Sequence, residues 1–384
     1  GTYFNWLIVA KPLRKYTQIA GNSITIPDFL QNRFHSKSNV LRIFSALFIL
    51  IFFTVYTSSM FAAGANLFDY VFGIGYIPAL ILSVVVVTAY TFLGGFKAVC
   101  WTDLFQGLLM FAAIIVVPCF MYKGLTSNTF EWSEIGKITL GVSEGFGAMG
   151  IVSAIAWGLG YFGMPHILLR FMAIEDEKKL KLSRRVATIW VVISLFVAVF
   201  IGVIGYTMSK VGALEMLTGS NSETIIVKIS ALLSQHGVIF ALLAGVILAG
   251  ILASTMSTSD SQLLAASSAV SSDILGAFRK DSSNKNGSMA AARITLLVIS
   301  VVAAFIARNP DSSVFAIVSF AWAGFGAAFG PVVLFSLFWK RTNKWGALAG
   351  MVCGGSMVFI WKYLIRPLGG IWNIYEPVSY THLT

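Results

Sequence analysis

Charged residues are scarce in this chain, and their scarcity excludes most water-soluble proteins. Only 11% of the 384 residues are Asp, Glu, Lys or Arg, whereas 57% are hydrophobic. Soluble domains carry about 25% charged residues, and the mean hydropathy here is +0.82. Because the apolar residues fall in many separate long stretches, the composition predicts an all-α polytopic membrane protein and not a β-barrel.

Motifs for catalysis and metal binding are also missing from the sequence. The three cysteines, Cys100, Cys119 and Cys353, form neither a CxxC pair nor a zinc-ligand spacing, and the four histidines are scattered. There is no HExxH, GxSxG, Walker A or kinase signature. The sequence therefore predicts no enzyme and no organic cofactor. Without a nucleotide-binding loop, uphill transport would need an ion gradient.

Ten apolar stretches alternate with short polar loops. They lie at about 1–10 (a partial span), 41–66, 74–96, 99–122, 147–168, 187–208, 238–268, 292–307, 314–338 and 346–364. The loops on one side of this alternation hold 20 of the 27 Lys and Arg residues. By the positive-inside rule those loops are cytoplasmic, so we interpret the net charge of +11 as a topology signal and expect no nucleic-acid partner.

The spans predict a single transmembrane domain over residues 1–376, with about nine full spans after the partial first one. No polar segment is long enough for an extramembrane domain with its own core. The first ten residues resemble the second half of a span. Residues 377–384 lose the apolar pattern abruptly, and we interpret them as a non-native tail.

The most informative stretch is a row of hydroxyl groups inside the apolar 238–268 span. Ser254, Ser257, Thr258 and Ser261 recur at i, i+3, i+4 and i+7, which places them on one face of a helix. Unpaired hydroxyls at membrane depth are costly, and a small hard cation prefers oxygen ligands. This face is therefore a candidate ion site. The alternative is that each hydroxyl bonds back to the carbonyl one turn earlier and needs no ligand.

Two carboxylates accompany this face. Asp103 follows Trp101 and Thr102 at the cytoplasmic start of the 99–122 span, where an intramembrane carboxylate is a functional hypothesis by default. Alternatively, Thr102 or Asp103 only caps that helix. Asp260 lies near the inner end of the hydroxyl helix, and the sequence leaves open whether it joins a cation site or faces cytoplasmic water.

Two spans contain several glycines and a proline. Residues 156–166 read AWGLGYFGMPH and residues 321–331 read AWAGFGAAFGP. Interrupted helices survive in a bilayer only where protein or a watery cavity satisfies the freed backbone, and they indicate a transporter's substrate site. The alternative in both cases is that small residues merely allow close helix packing.

Aromatic residues with polar groups lie near these features. Trp157, Tyr161 and Pro165 recur at i, i+4 and i+8, and Tyr56 lies mid-span beside three hydroxyl residues. Such rings could enclose a small amphiphilic solute. Ordinary core packing or an interfacial aromatic belt is the alternative. His166, beside Pro165, is interpreted first as a helix-end residue.

Several long strings resemble the sodium/solute symporter family, and most closely its sodium/proline symporters. The strings are NWLIVAKPLRKYT, NSITIPDFL, FFTVYTSSMFAAGANLF, YTFLGGFKAVCWTDLFQ, WGLGYFGMPHILLRFM, ILASTMSTSDSQLL and SFAWAGFGAAFGPVVLFS. Together they span nearly the whole chain. The resemblance implies a leucine-transporter-type 5+5 inverted repeat, with alternating access around a site at the membrane midplane.

The resemblance also implies residue roles. Ser257 and Thr258 match the family's sodium-site hydroxyls, Ser254 lies where a backbone carbonyl ligand is expected, and Asp103 matches an aspartate tied to sodium coupling. A further set matches positions that line the proline pocket: Tyr56, Trp157, Tyr161 and Pro165. Phe325 falls in a span that carries gating on the extracellular side. The family's first repeat begins with an unwound helix that would lie upstream of Gly1, so these expectations describe the parent protein.

These observations together predict a bacterial inner-membrane transporter that couples inward sodium flow to uptake of L-proline. Its expected partners are proline, Na⁺ and the lipid bilayer, with no obligate protein partner evident. Two alternatives stay open: a sodium symporter for another small solute, and a transporter-like membrane sensor domain of a signalling kinase.

Overall fold

The computed structural model describes residues 1–127, 155–278, 285–310 and 312–369 except residues 211 and 213, and also Val152 and Trp372. All the regular structure in these residues is helical. The first part of the 147–168 stretch and the proposed tail at 377–384 lie outside the described residues. Lys137, which lies in the set of loops with fewer Lys and Arg residues, is also outside the described residues.

The helices in chain order are α1 (Thr2–Phe4, a π-helical turn Asn5–Val9, then Ala10–Ile19), α2 (Ile26–Arg33), α3 (Val40–Phe72), α4 (Tyr76–Gly95), α5 (Val99–Val117), α6 (Pro165–Ala173), α7 (Leu180–Lys210), α8 (Ile225–Ser234), α9 (Val238–Ser268), α10 (Lys285–Ile306), α11 (Val314–Phe338) and α12 (Lys344–Ile360). Within the described residues, eight helical runs are long and apolar enough to cross a membrane, namely α3, α4, α5, α7, α9, α10, α11 and α12 with their extensions. Helices α4 and α5 meet at Gly95, whose φ of 62° and ψ of −171° interrupt the helix.

Burial separates the central helices from those at the periphery. In α11, 72% of the most apolar 18-residue stretch is buried, whereas only 17% of the corresponding stretch is buried in the helical run that contains α7. Helix α7 exposes Leu182, Val186 and Ile189 among other large apolar side chains. Exposed apolar surface of this extent is suited to lipid and not to water. Helix α3 lies at the centre of the bundle, because α9, α11 and the run that contains α4 and α5 all pack against it. Helix α9 also packs against the run that contains α4 and α5.

The lysine- and arginine-rich loops come together at one end of this bundle. Arg42, at the start of α3, donates to Asp273 Oδ1 at 3.1 Å, and Thr25 donates to the same oxygen at 3.1 Å. Arg33 donates to the carbonyl of Ser336 at the end of α11 at 3.0 Å. These contacts join segments that the charge alternation assigned to the cytoplasmic side.

The two glycine-rich segments differ in structure. Residues 321–331 lie inside the continuous helix α11, so the expectation of a broken span there is wrong. The small residues instead permit close packing: a Cβ at Gly324 would collide with the ring of Phe52, and one at Gly326 would lie 2.9 Å from Gly160 Cα. In contrast, Trp157–Gly163 forms a 3₁₀ helix, and Met164 is extended before α6 begins at Pro165. We call residues 156–166 the broken segment.

Candidate functional site

The hydroxyl face of α9 lies on one continuous helix. Ser257, Thr258 and Ser261 are half-buried, whereas Ser254 is exposed. Thr258 Oγ1 donates to the carbonyl oxygen of Ser254 at 3.0 Å, which is the local bond that hydroxyls in apolar helices often make. The carbonyl of Ser254 and the hydroxyl of Thr258 are therefore adjacent oxygen atoms on this face.

Asp103 lies beside this face. It lies in the second turn of α5, and the Ser257 hydroxyl faces its carboxylate. Oδ2 lies 3.5 Å from Arg170 Nη2, whereas Oδ1 is buried and has no hydrogen-bond partner among the described residues. Capping does not account for Asp103, because Thr102 bonds back to the carbonyl of Val99 at 2.9 Å within a helix that already continues. A carboxylate oxygen without a partner, next to a hydroxyl, is a suitable donor set for a small alkali cation.

Asp260 is fully buried. The Tyr90 hydroxyl on α4 lies 2.6 Å from Asp260 Oδ2 and 3.0 Å from the carbonyl oxygen of Met256. Asp260 Oδ1 has no partner among the described residues, and the Asp103 carboxylate is close enough to repel it electrostatically. Two carboxylates in one low-dielectric region attract a cation more strongly than either would alone.

A cavity of about 680 Å³ reaches Asp103 from the end of the bundle that carries the basic loops. We call it the inner cavity. Its lining includes Thr25, Cys100, Asp103, His166, Arg170 and Ser261. In this lining, His166 lies next to Phe53 of α3, with 5.8 Å between the two ring centroids. The inner cavity thus connects Asp103 and Ser261 with the end of the bundle that carries the basic loops.

A second cavity, of about 760 Å³, opens at the opposite end of the bundle. We call it the outer cavity, and its lining includes Asp69, Glu215, Glu223, Lys228, Trp157 and Phe315. The carboxylate of Glu223 accepts hydrogen bonds from the backbone N–H groups of Val314 (3.0 Å) and Phe315 (3.1 Å) and from the Ser313 hydroxyl (2.6 Å). It therefore caps the first turn of α11. Trp157 is the one sequence-predicted pocket residue in this lining.

Aromatic side chains fill the space between the two cavities. Phe325 is fully buried, and its ring centroid lies 4.5 Å from that of Phe53 and 5.5 Å from that of Phe52. Tyr56, one turn above Phe53 on α3, is 92% buried. The ring centroid of Phe53 lies 5.8 Å from that of His166, so α3 and the broken segment approach each other here. This layer forms a barrier between the outer and inner cavities.

The rings of Trp157 and Tyr161 do not share a helix face, because this stretch is a 3₁₀ helix. At three residues per turn, residues four apart point about 120° from each other. Trp322 of α11 occupies the angle between them: its ring stacks on Trp157 at 5.6 Å and meets Tyr161 edge-on at 4.8 Å. Pro165 is buried and begins α6. The α-helical periodicity was thus the wrong reason for grouping these residues, which α11 brings together.

Sequence reasoning missed four residues of this region. Arg170 was counted only among the basic residues that indicate topology, and Glu223 was not singled out. Trp322 and Tyr90 lie in apolar spans where aromatic residues are common. Only Tyr90 carried a usable signal, because a buried tyrosine hydroxyl needs a partner and α9 offers a carboxylate.

The sequence of this chain matches known proteins over most of its length. The profile of the Sodium:solute symporter family matches residues 1–354. The chain is 43% identical over 365 residues to the High-affinity proline transporter PutP of Bacillus subtilis, covering 94% of this chain and 75% of that protein. It is 42% identical to the Osmoregulated proline transporter OpuE of Bacillus subtilis, over 94% and 72% of the two chains. The Sodium/proline symporter of Salmonella typhimurium is also 42% identical, again over 94% and 72%.

The fold is similar to that of a Na⁺-coupled sialic acid symporter solved in a substrate-bound, outward-open state. The TM-score is 0.64 at 18% sequence identity, and the match covers 96% of this chain and 89% of that one. The predicted all-helical membrane fold of the leucine-transporter type is confirmed by this likeness and by the helices described above. The chain is therefore a multi-pass membrane protein that belongs to the sodium:solute symporter family.

Proposed function

We propose that this protein couples the inward flow of sodium to the uptake of L-proline by alternating access in the cell membrane. One observation carries most of the proposal. Asp103 and Ser257 form an oxygen-rich site at the end of an inner cavity, and an aromatic barrier separates this cavity from an outer cavity lined by Trp157. The names of the relatives favour proline, since three of them are proline transporters or symporters.

Sodium is assigned to oxygen atoms contributed by α9 and α5. The Ser257 and Thr258 hydroxyls, the carbonyl of Ser254 and the Asp103 carboxylate supply the hard oxygen ligands that Na⁺ prefers. The unpartnered Oδ1 of Asp103 is the strongest reason for including the carboxylate. Sodium is a transported ion in this proposal, and no other metal or cofactor takes part.

Proline is assigned to the barrier between the two cavities. Tyr56, Tyr161 and Pro165 present apolar surface with a few polar atoms, and Trp157 connects that surface with the outer cavity. A pyrrolidine ring suits such a surface, while its carboxylate and ammonium groups need a small number of polar partners. Phe325, packed on Phe53, is assigned to gating because it fills the path between the cavities.

In the proposed cycle, sodium binds from outside and stabilises an outward-open form, in which the proline pocket is assembled. Proline then binds, the outer gate closes, and the inner cavity opens so that both leave. One positive charge that moves inward across 100 mV gains about 2.3 kcal/mol. Each tenfold sodium gradient adds roughly 1.4 kcal/mol. Together these energies are enough for concentrative uptake.

The test is initial-rate uptake of labelled L-proline by the full-length protein in proteoliposomes, with external sodium or with choline. We expect uptake only with sodium, and competition by unlabelled proline but not by other amino acids or sugar acids. Sodium-dependent uptake of a different solute would overturn proline as the substrate and keep sodium coupling. The likeness in fold to a sialic acid symporter is the reason for including sugar acids among the competitors. Uptake that is equal in sodium and choline would contradict sodium coupling itself.

A further inference from the structure

The broken segment has a backbone carbonyl whose usual helical donor does not exist. The 3₁₀ helix ends at Gly163, and Met164, which would supply the next 3₁₀ donor, is extended. In an α-helix the carbonyl of Tyr161 would instead accept a hydrogen bond from the N–H of residue 165, and Pro165 has no N–H. A carbonyl at membrane depth needs a donor from elsewhere. Asn5 on α1 provides one, since its Nδ2 lies 2.7 Å from the Tyr161 carbonyl oxygen.

Asn5 lies in an apolar environment, where burial of an amide side chain costs free energy unless the amide forms hydrogen bonds. It is fully buried, within an otherwise apolar stretch. Burying an amide without hydrogen bonds costs several kcal/mol in an apolar medium. Asn5 also begins the π-helical turn Asn5–Val9, and such irregular turns are frequent at functional sites. Its Oδ1 has no partner among the described residues, so the contact with Tyr161 is the bond that its geometry serves.

A second side chain holds the other end of the same 3₁₀ helix. Trp322 Nε1 on α11 donates to the carbonyl of Trp157 at 3.0 Å. The indole also packs against Gly160, where a Cβ would collide with it. Side chains from α1 and α11 thus hydrogen-bond to two carbonyls of the 3₁₀ helix, those of Tyr161 and Trp157. The same two residues carry the aromatic rings assigned to the solute pocket.

We infer that Asn5 is a positioning residue for solute binding: its amide replaces the N–H that Pro165 lacks, and it thereby fixes the Tyr161 backbone and ring. This inference rests on the proposed assignment of Tyr161 and Pro165 to the solute pocket. Asn5 acts through Tyr161. Its loss should therefore weaken solute binding more than sodium binding, because the sodium ligands lie on α9 and α5.

The test compares Asn5→Leu with Asn39→Leu in the full-length protein. Asn39 is a matched control, since its Nδ2 donates to the carbonyl of Ala277 at the same distance of 2.7 Å but far from the broken segment. Two quantities are measured: the half-saturating concentrations of proline and sodium for uptake, and hydrogen–deuterium exchange of peptides covering 157–168. The exchange measurement needs no solute.

Asn5→Leu should raise the half-saturating proline concentration about five- to tenfold, the value expected for one lost hydrogen bond. Half-saturation by sodium should change less than twofold, and exchange in 157–168 should become faster. Asn39→Leu should leave all three near wild type. If Asn5→Leu cannot be purified folded, Asn5→Ser removes the reach of the amide while keeping a polar group.

Substitution of Pro165 supplies a second, independent test. Pro165→Ala restores an N–H at residue 165, so exchange in 157–168 should respond less to Asn5→Leu in the Pro165→Ala background than in the wild type. Equal responses in the two backgrounds would overturn the inference, as would unchanged proline half-saturation and exchange in Asn5→Leu. If the wild type showed no sodium-dependent proline uptake, the proposed function would fail, and the exchange measurements would still decide the role of Asn5.

Discussion

At the scale of single residues, the carboxylate of Asp103 has two different environments. Oδ2 faces the inner cavity, where Arg170 lies 3.5 Å away with a side chain that is 60% exposed. Oδ1 is buried and has no hydrogen-bond partner among the described residues. An exposed ion pair of this kind contributes only about 0–1 kcal/mol. Arg170 therefore does not prevent Asp103 from binding a cation.

Removal of the Ser257 and Thr258 hydroxyls should weaken sodium binding. We expect Ser257→Ala and Thr258→Ala each to raise the half-saturating sodium concentration about tenfold or more, since hydrogen bonds or ligand contacts to a charged group are worth roughly 1.5–3 kcal/mol. Thr255→Ala is the control, because the Thr255 side chain is buried and its hydroxyl donates to the carbonyl of Leu252 at 2.8 Å. Sodium half-saturation of uptake is measured in proteoliposomes. Values equal to that of the wild type in both variants would refute the assignment.

Residue types and spacing predict the candidate ion site, but they leave Asp260 unassigned. The i, i+3, i+4, i+7 pattern places Ser257 and Thr258 on one face without reference to any other helix. Asp260 meets protein because the Tyr90 hydroxyl on α4 contacts its carboxylate. Tyr90 and Asp260 are 170 residues apart in the sequence, so this contact follows from how α4 packs on α9. Local spacing contains no information about such a contact.

At the scale of elements, proline position and helix continuity separate the two glycine-rich segments. Pro331 lies within α11 and the helix continues through it, whereas Pro165 starts a new helix after an extended residue. Their sequences contain the same residue types, so composition alone predicted a break in both. The difference is that α11 is buried among other protein segments, with 72% of its most apolar 18-residue stretch buried. Surrounding protein can tolerate a proline within a membrane helix.

Gly160 should be essential for the fit between the broken segment and α11. We expect Gly160→Ala to abolish or strongly reduce proline uptake, because the added methyl group collides with the Trp322 indole and overpacking costs about 1–3 kcal/mol. Gly202→Ala on α7 is the control, since nothing lies within 4 Å of the position its Cβ would take. Uptake and thermal unfolding in detergent are compared for the two variants. Equal behaviour of both would show that the contact is unimportant.

Glu223 should hold the outer loops closed over α11. The variant Glu223→Gln loses the negative charge at the helix N-terminus, and Glu223→Ala loses all three hydrogen bonds, so we expect the outer cavity to open more readily, most strongly in the alanine variant. The measurement is the labelling rate of a cysteine introduced at Ser312, which lines that cavity.

Glu215→Gln provides the control for this experiment. Glu215 lines the same cavity, but its side chain is 77% exposed and it pairs only loosely with Lys228, at 3.7 Å. Its substitution should leave labelling unchanged. Faster labelling in both variants would indicate a general effect of charge in the cavity and would contradict a specific cap.

At the scale of the whole molecule, two cavities approach each other from opposite ends without joining through the described barrier. The inner cavity reaches Asp103 and the outer cavity reaches Trp157, and Phe325 and Phe53 lie in the layer between them. The overall fold, the gathering of the basic loops at one end of the bundle and the family could be predicted from hydropathy, charge and long sequence strings. The state of the cavities could not, because it depends on small shifts between packed helices.

Cys100 should report the inner cavity directly, since it lines this cavity and is exposed. In a variant that retains only Cys100, a membrane-impermeant maleimide applied from the cytoplasmic side should react quickly, and sodium plus proline should slow the reaction several-fold. The corresponding variant with only Cys353, an exposed residue on α12, should show no such protection. Protection of both cysteines, or of neither, would be inconsistent with closure of this cavity.

The central claim is that a sodium gradient drives accumulation of proline, and its most direct test is the steady-state concentration ratio in proteoliposomes. The measurement imposes known inward sodium gradients and a clamped membrane potential, and it records labelled proline inside and outside. The account predicts that internal proline exceeds external proline, that the ratio increases with the sodium gradient and with an inside-negative potential, and that a sodium ionophore abolishes it. A ratio that stays at one under every gradient, with uptake still occurring, would contradict sodium-coupled transport.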